Sequence, residues 1–181
     1  MAFDKINYLG ENHFKVLNLI LKRDFYLREL AEELKLAPST THKVINSLKE
    51  NNILFENKKK NRTYFRVNYS SVLAREMIKT LFVNKILSSK SFKKLLKLKP
   101  KKVYLFGSAA NGTLKQTSDI DMAAFFKKEP KSKIFSEIRM SFAAEFIRET
   151  DLFALEENHS TIPEKSESIK NVEKGILLYA K

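Results

Sequence analysis

The chain has 181 residues, 43% of them apolar and 30% charged, with no cysteine, three histidines, four glycines and four prolines. That is the balance of one ordinary globular domain or two small ones. It excludes disulfide scaffolds, Cys-ligated metal centres, thiol nucleophiles and low-complexity architectures. Lys and Arg number 34 against 21 Asp and Glu, a net of +13.

A cut at Pro100 leaves a net of +12 in the first hundred residues and +1 in the rest. Such asymmetry points to nucleic-acid or acidic-membrane contact for the first half. The apolar runs are too short to span a bilayer, and the opening Met1-Ala2-Phe3-Asp4-Lys5 lacks a secretory pattern. A cytoplasmic protein with no membrane partner is expected.

In chain order, residues 12–22 place Phe14, Leu17, Ile20 and Leu21 at helical spacing. Residues 27–34 form a second amphipathic helix with Leu27, Leu30, Ala31 and Leu34 inward. The turn Lys35-Leu36-Ala37 leads to Pro38, whose fixed φ suits a first helical position. The third helix, 38–51, has Thr41, Val44, Ile45 and Leu48 on its inner face. Its outer face carries Ser39, Thr40, Lys43, Asn46 and Ser47, which are small or polar and able to bond phosphates or base edges. Two β-prone segments, Ile53–Glu56 and Arg62–Val67, flank a basic tip over 57–61 and read as a hairpin.

Three helices and a basic hairpin resemble the winged helix-turn-helix of prokaryotic transcription regulators. LAPSTTHKVINSLKENNIL is similar to that family's recognition helix and its exit into the wing. Ala37 stands where a Ser N-cap is common, and Asn52 where Gly is common. The resemblance implies duplex DNA as partner, with the third helix in a major groove and Lys58, Lys59, Lys60 and Arg62 on backbone phosphates. A protein-binding module is the alternative.

Residues 70–87 continue as a helix, with Leu73, Met77 and Leu81 spaced by four and Ile78, Phe82 and Ile86 alongside. In winged-helix proteins such an added helix often packs against another copy, so a homodimer through this connector is expected; the alternative is a brace between the halves. Ser88-Ser89-Lys90-Ser91 reads as a boundary. Phe92, Leu95 and Leu96 begin a short helix that ends before Pro100.

The pattern then changes. Val103-Tyr104-Leu105-Phe106 is a short apolar strand running into Gly107-Ser108, and Ser118-Asp119-Ile120-Asp121 opens a second strand through Phe126. Residues 133–148 form a helix with Ile134, Ile138, Phe142 and Phe146 on one stripe, and Thr150–Leu155 a third strand. Residues i and i+2 of a strand point to one side, so Asp119 and Asp121 present two carboxylates together. Asp151 joins them if its strand lies alongside. Clustered carboxylates call for cations, and hard oxygen donors favour Mg²⁺ or Mn²⁺. A Gly-Ser turn offers backbone N–H groups and a hydroxyl to phosphate oxygens. These parts together describe a two-metal phosphoryl or nucleotidyl transfer site.

LFGSAANGTLKQTSDIDMAAFF resembles the signature of the polymerase-beta-type nucleotidyltransferases in their minimal, MNT-like form. The resemblance covers roughly 92–181, including a terminal helix in which Ile169, Gly175, Leu178 and Tyr179 match the closing pattern. It implies that Gly107 and Ser108 hold the triphosphate of ATP or another nucleoside triphosphate. It further implies that Asp119 and Asp121 ligate Mg²⁺ or Mn²⁺ and that Asp151 completes the site and helps activate the attacking hydroxyl. Asn111 stands where the family commonly has Arg, with Lys115 a candidate substitute.

The expected fold is α/β (α+β). It comprises a winged helix-turn-helix over 1–69, a connector helix and boundary over 70–91, and a minimal nucleotidyltransferase with a short mixed sheet and helices over 92–181. Family members are often partners of HEPN-type toxins, which some neutralise by adding AMP. The expected function is therefore a metal-dependent nucleotidyltransferase with a DNA-binding module, in the manner of an autoregulating antitoxin. The alternative is a non-catalytic transcription regulator that keeps the transferase fold as a nucleotide sensor or protein-binding surface. Aminoglycoside modification is weaker, since no acidic acceptor pocket is legible.

Overall fold

A computed structural model describes residues 9–59, 61–156 and 171–181. The chain divides into two compact units, residues 1–78 and 79–181.

In the first unit, α1 (Glu11–Ile20), α2 (Leu27–Leu34) and α3 (Pro38–Glu50) bury Val16, Leu17, Ile20, Leu30, Val44, Ile45 and Leu48. α2 stops at Lys35, which adopts the left-handed conformation (φ 53°). Pro38 then starts α3 under Ala37, which gives no side-chain cap. Asn52 does turn left-handed (φ 55°) as the chain leaves α3, the conformation Asn tolerates better than most residues.

The hairpin β2 (Leu54–Lys59) and β3 (Arg62–Val67) pairs antiparallel from Leu54↔Val67 to Lys59↔Arg62. The strands therefore run through most of the expected five-residue tip. A strand β1 (Phe25–Tyr26), too short to leave a periodic signal, adds to β3 and gives the order β1-β3-β2. These elements make a winged helix.

α4 (Val72–Ser88) crosses the division between the units. α5 (Lys90–Lys97) follows, its N-terminus capped by Ser89, whose Oγ accepts from Phe92 N–H at 3.0 Å.

The second unit is built on a four-stranded mixed sheet of order β6-β5-β4-β7. Its strands are β4 (Lys102–Phe106), β5 (Ile120–Phe126), β6 (Thr150–Glu156) and β7 (Ile176–Ala180). β4 is antiparallel to β5 and β7, while β5 and β6 are parallel. The parallel pair needs a crossover, and α7 (Ser132–Phe146) supplies it. α7 buries Phe135, Ile138 and Phe142, with the Phe135 ring 6.1 Å from Phe126. Ile138 and Phe142 are inward as expected, but Phe135 takes the inward place of Ile134, which is 43% exposed.

The expected terminal helix is instead the strand β7. Five residues, Ile-Leu-Leu-Tyr-Ala, are too few to stabilise a helix and pair readily with the open edge of β4. Gly175 permits this close approach, since a Cβ there would lie 2.3 Å from the Leu105 carbonyl oxygen. Ile169 lies outside the described residues. Among those described, no helix is long and apolar enough to cross a membrane.

Candidate active site

β4 delivers the chain to Gly107, which is left-handed (φ +65°). A Cβ at this position would sit 2.0 Å from Asp121 Oδ2 and 2.9 Å from its Cγ, so only glycine lets the strand end pass against that carboxylate. Gly107 and the half-buried Ser108 open the short helix α6 (Gly107–Asn111), anchored by buried Ala109 and Ala110. Gly112 ends it left-handed (φ +69°), and Leu114, fully buried, fixes the loop that follows. Within that loop the Lys115 N–H donates to Ser118 Oγ at 3.0 Å.

Asp119 stands one residue before β5 and Asp121 is its second residue. Across the sheet, Asp121 is level with Phe106 on β4 and with Asp151 on β6. Residues level with one another share a face, so the register sets the Asp121 and Asp151 carboxyls side by side at the Gly107 end of β4. Asp121 is half-buried, and its carboxyl is pushed above the usual carboxylate range, first by burial, then by the negative charges of Asp151 and Asp119. Asp151 is exposed and Asp119 half-buried. Three carboxylates near one another are the oxygen donor set that Mg²⁺ or Mn²⁺ takes, and the strain on Asp121 is of the kind a cation relieves. Among the described residues, no three acidic or His groups close to metal-binding geometry.

On the winged helix, Ser39, Thr40 and Lys43 are all exposed on α3. A groove of about 540 Å³ between α3 and the hairpin is lined by His42, Asn46, Lys49, Arg28 and Arg62, among others. The wing cations differ in their surroundings. Lys58 is exposed. Lys59 donates to Asp24 Oδ2 at 2.9 Å and lies 5.6 Å from the Tyr64 ring centroid. Arg62 lies over the Tyr26 ring at 4.8 Å. Lys60 lies outside the described residues.

Residues 84–181, more than half of the chain, match the family described as Polymerase beta, Nucleotidyltransferase. The chain belongs to that family. No curated protein matches it closely enough to count as a relative. Among solved structures, the adhesin competence repressor of Streptococcus pyogenes is similar at 20% identity over 51% of this chain and 69% of that one, with a TM-score of 0.42. A toxin–antitoxin structure with AMP-PNP is similar at 23% identity, 50% and 72% coverage and a TM-score of 0.41. A tri-AMPylated Shewanella oneidensis HEPN toxin in complex with MNT antitoxin is similar at 16% identity, 59% and 73% coverage and a TM-score of 0.35.

In this member of the nucleotidyltransferase family, Asn111 closes α6 on the surface and Lys115 is exposed nearby. A guanidinium that no sequence pattern singles out belongs to Arg148. Its Nη1 donates to the carbonyls of Lys115, Gln116 and Ser118 at 2.8, 3.1 and 2.9 Å. It thereby ties the loop that carries Asp119 to the segment that leads into Asp151. Ile147, before it, is left-handed (φ 52°) and 88% exposed, a strained conformation for a β-branched residue that buries nothing in return. The Arg148 staple and the bond from Ile120 N–H to the Glu149 carbonyl (3.1 Å) hold the chain in it.

Proposed function

We propose that the second unit transfers a nucleoside monophosphate from a nucleoside triphosphate, ATP in the first instance, to a hydroxyl acceptor. The observation that carries this is the level pair Asp121 and Asp151 beside a strand end where only glycine fits. Gly107 and Ser108 offer N–H groups and a hydroxyl to the triphosphate. Asp119, Asp121 and Asp151 would hold Mg²⁺ or Mn²⁺, which supplies charge stabilisation to the incoming and departing oxygens when bound. Asp151, the exposed carboxylate, accepts the proton of the acceptor hydroxyl. That oxygen forms the new bond to the α-phosphorus, and pyrophosphate leaves with the electrons of the broken P–O bond.

The winged helix binds duplex DNA in the same proposal, through Ser39, Thr40 and Lys43 on α3 and Lys58 and Arg62 on the wing. A homodimer through α4 fits the exposure of Val72 and Leu73 there. The chain then works as an autoregulating antitoxin-like protein in the cytoplasm, with a HEPN-type toxin as the acceptor-bearing partner. Asn111 favours a second reading, in which the fold senses nucleotide without turnover.

Calorimetric titration of ATP with Mg²⁺ or Mn²⁺ tests the site. Asp119→Ala with Asp121→Ala should abolish metal-dependent binding while leaving the far-ultraviolet dichroism unchanged. Unaltered affinity would put the nucleotide elsewhere.

A further inference from the structure

Between Glu76 and Asp119 the chain has no acidic residue and ten lysines. The division of the fold assigns residues 79–181 to the second unit, which therefore holds 20 Lys and Arg against 12 Asp and Glu, a net of +8. The winged-helix unit, residues 1–78, has 14 against 9, a net of +5. Most of the excess charge is on the transferase unit, contrary to the expectation from a cut at Pro100.

α5 concentrates it. Lys90, Lys93, Lys94 and Lys97 recur at i, i+3, i+4 and i+7 and so form one stripe, opposite buried Ser91, Phe92 and Leu95. Lys93, Lys94 and Lys97 are exposed, and none enters an ion pair among the described residues. Lys90 has an acid at hand in Glu145, which accepts its backbone N–H at 3.0 Å. Like charges at these spacings destabilise a helix. The helix dipole welcomes Lys94 and Lys97 in the last turn but opposes the two lysines nearer the N-terminus. Local helix stability does not account for the stripe.

We infer that α5 is a second nucleic-acid contact, on the transferase unit and independent of the winged helix, that takes backbone phosphates. The stripe spans ~10 Å at 1.5 Å per residue, about three nucleotide steps of one strand at 3.4 Å each. Lysine is a point charge suited to phosphate without base preference, and it is depleted from protein interfaces, where Arg and aromatics gather. A membrane-surface helix would need a free apolar face, but Phe92 and Leu95 are buried within the protein.

The test uses the full chain and a random-sequence duplex of about 30 base pairs, with affinity followed by fluorescence anisotropy across a KCl series. Each lost phosphate contact lowers the slope of log K on log salt by ~0.9. Lys93→Gln, Lys94→Gln and Lys97→Gln combined should lower it by up to ~2.7, both in the parent and in a chain already carrying Lys58→Gln and Arg62→Gln. The corresponding triple Arg variant should keep the parental slope, and equal melting temperatures show that the folds are comparable. An unchanged slope, or a loss seen only when the wing is intact, overturns the inference. So does an unchanged slope accompanied by lost binding to phosphatidylserine vesicles or polyglutamate, which would assign the stripe to a membrane or an acidic protein. If the wing variants alone leave the slope intact while the α5 variants lower it, the winged-helix proposal fails and this one stands.

Discussion

Asp151 is the exposed member of the acidic group, while Asp121 is half-buried against Gly107. The two should therefore fail differently. Asp151→Asn is expected to keep most of the metal–nucleotide affinity and lose at least ~10²-fold in transfer, the scale of a positioned general base. Labelled ATP with candidate acceptors, beside a binding titration on the same variant, decides it; undiminished transfer would remove Asp151 from the chemistry. Arg148 acts at one remove, through the carbonyls of the 115–118 loop. Arg148→Ala should free the loop, weaken Mn²⁺ binding and cut transfer by roughly 10-fold or more, since small misplacements of catalytic groups cost that much or more. A variant that loses stability but keeps its Mn²⁺ affinity would make the staple merely structural. At Ile147, replacement by Gly relieves the left-handed strain and forfeits no buried surface. A stabilisation of about 1 kcal/mol is expected in thermal unfolding.

Among the elements, the wing is held by a charge cluster with no sequence signature. Arg66 donates to Asp24 at 2.7 to 3.1 Å and Lys59 adds a bond at 2.9 Å. The Arg66 guanidinium first, and Lys59 after it, hold the Asp24 carboxyl below the usual range against the cost of its burial. A depressed carboxylate contributes stability that is fully present above its unfolded value of about 3.9 and lost as pH falls through the folded one. Asp24→Asn should thus cost about 1 kcal/mol at pH 7. Denaturant melts should find that gap narrowing as pH drops below about 4. The inner face of α3 was legible because Thr41, Val44, Ile45 and Leu48 obey the helical period and all four are buried. In α7, Ile138 and Phe142 obey the same period, but the first inward position falls on Phe135 rather than Ile134, because both are apolar and periodicity alone does not choose between neighbours. β7 is not legible as a strand in the sequence because its conformation is set by the edge of β4, a partner more than 70 residues away.

For the whole molecule, the division into two compact units predicts two unfolding transitions in scanning calorimetry. Saturating ATP and Mg²⁺ at about 100 times the dissociation constant should stabilise one of them by ~2.7 kcal/mol, and substitution of Asp121 should erase that shift. A single transition that responds as a whole would instead mean the units unfold together. The sequence brings Asp151 to Asp121 only on the condition that their strands lie side by side, and the parallel register of β5 and β6 meets that condition. The distribution of charge could not be read from the sequence, because it depends on where the fold divides the chain, and that division falls inside α4 rather than at a proline or serine run.

The hydrogen of Gly107 that faces Asp121 Oδ2 has an evolutionary consequence. The two positions are one steric unit: a methyl group at 107 fits only if the Asp121 carboxylate turns away from it. Drift at 107 should therefore be silent only after 121 has shortened or turned away. In lineages where this fold has given up chemistry, Ala at 107 should follow the loss of Asp121 more often than it precedes it. An alignment dense enough to order the two replacements on a tree would record when that happened.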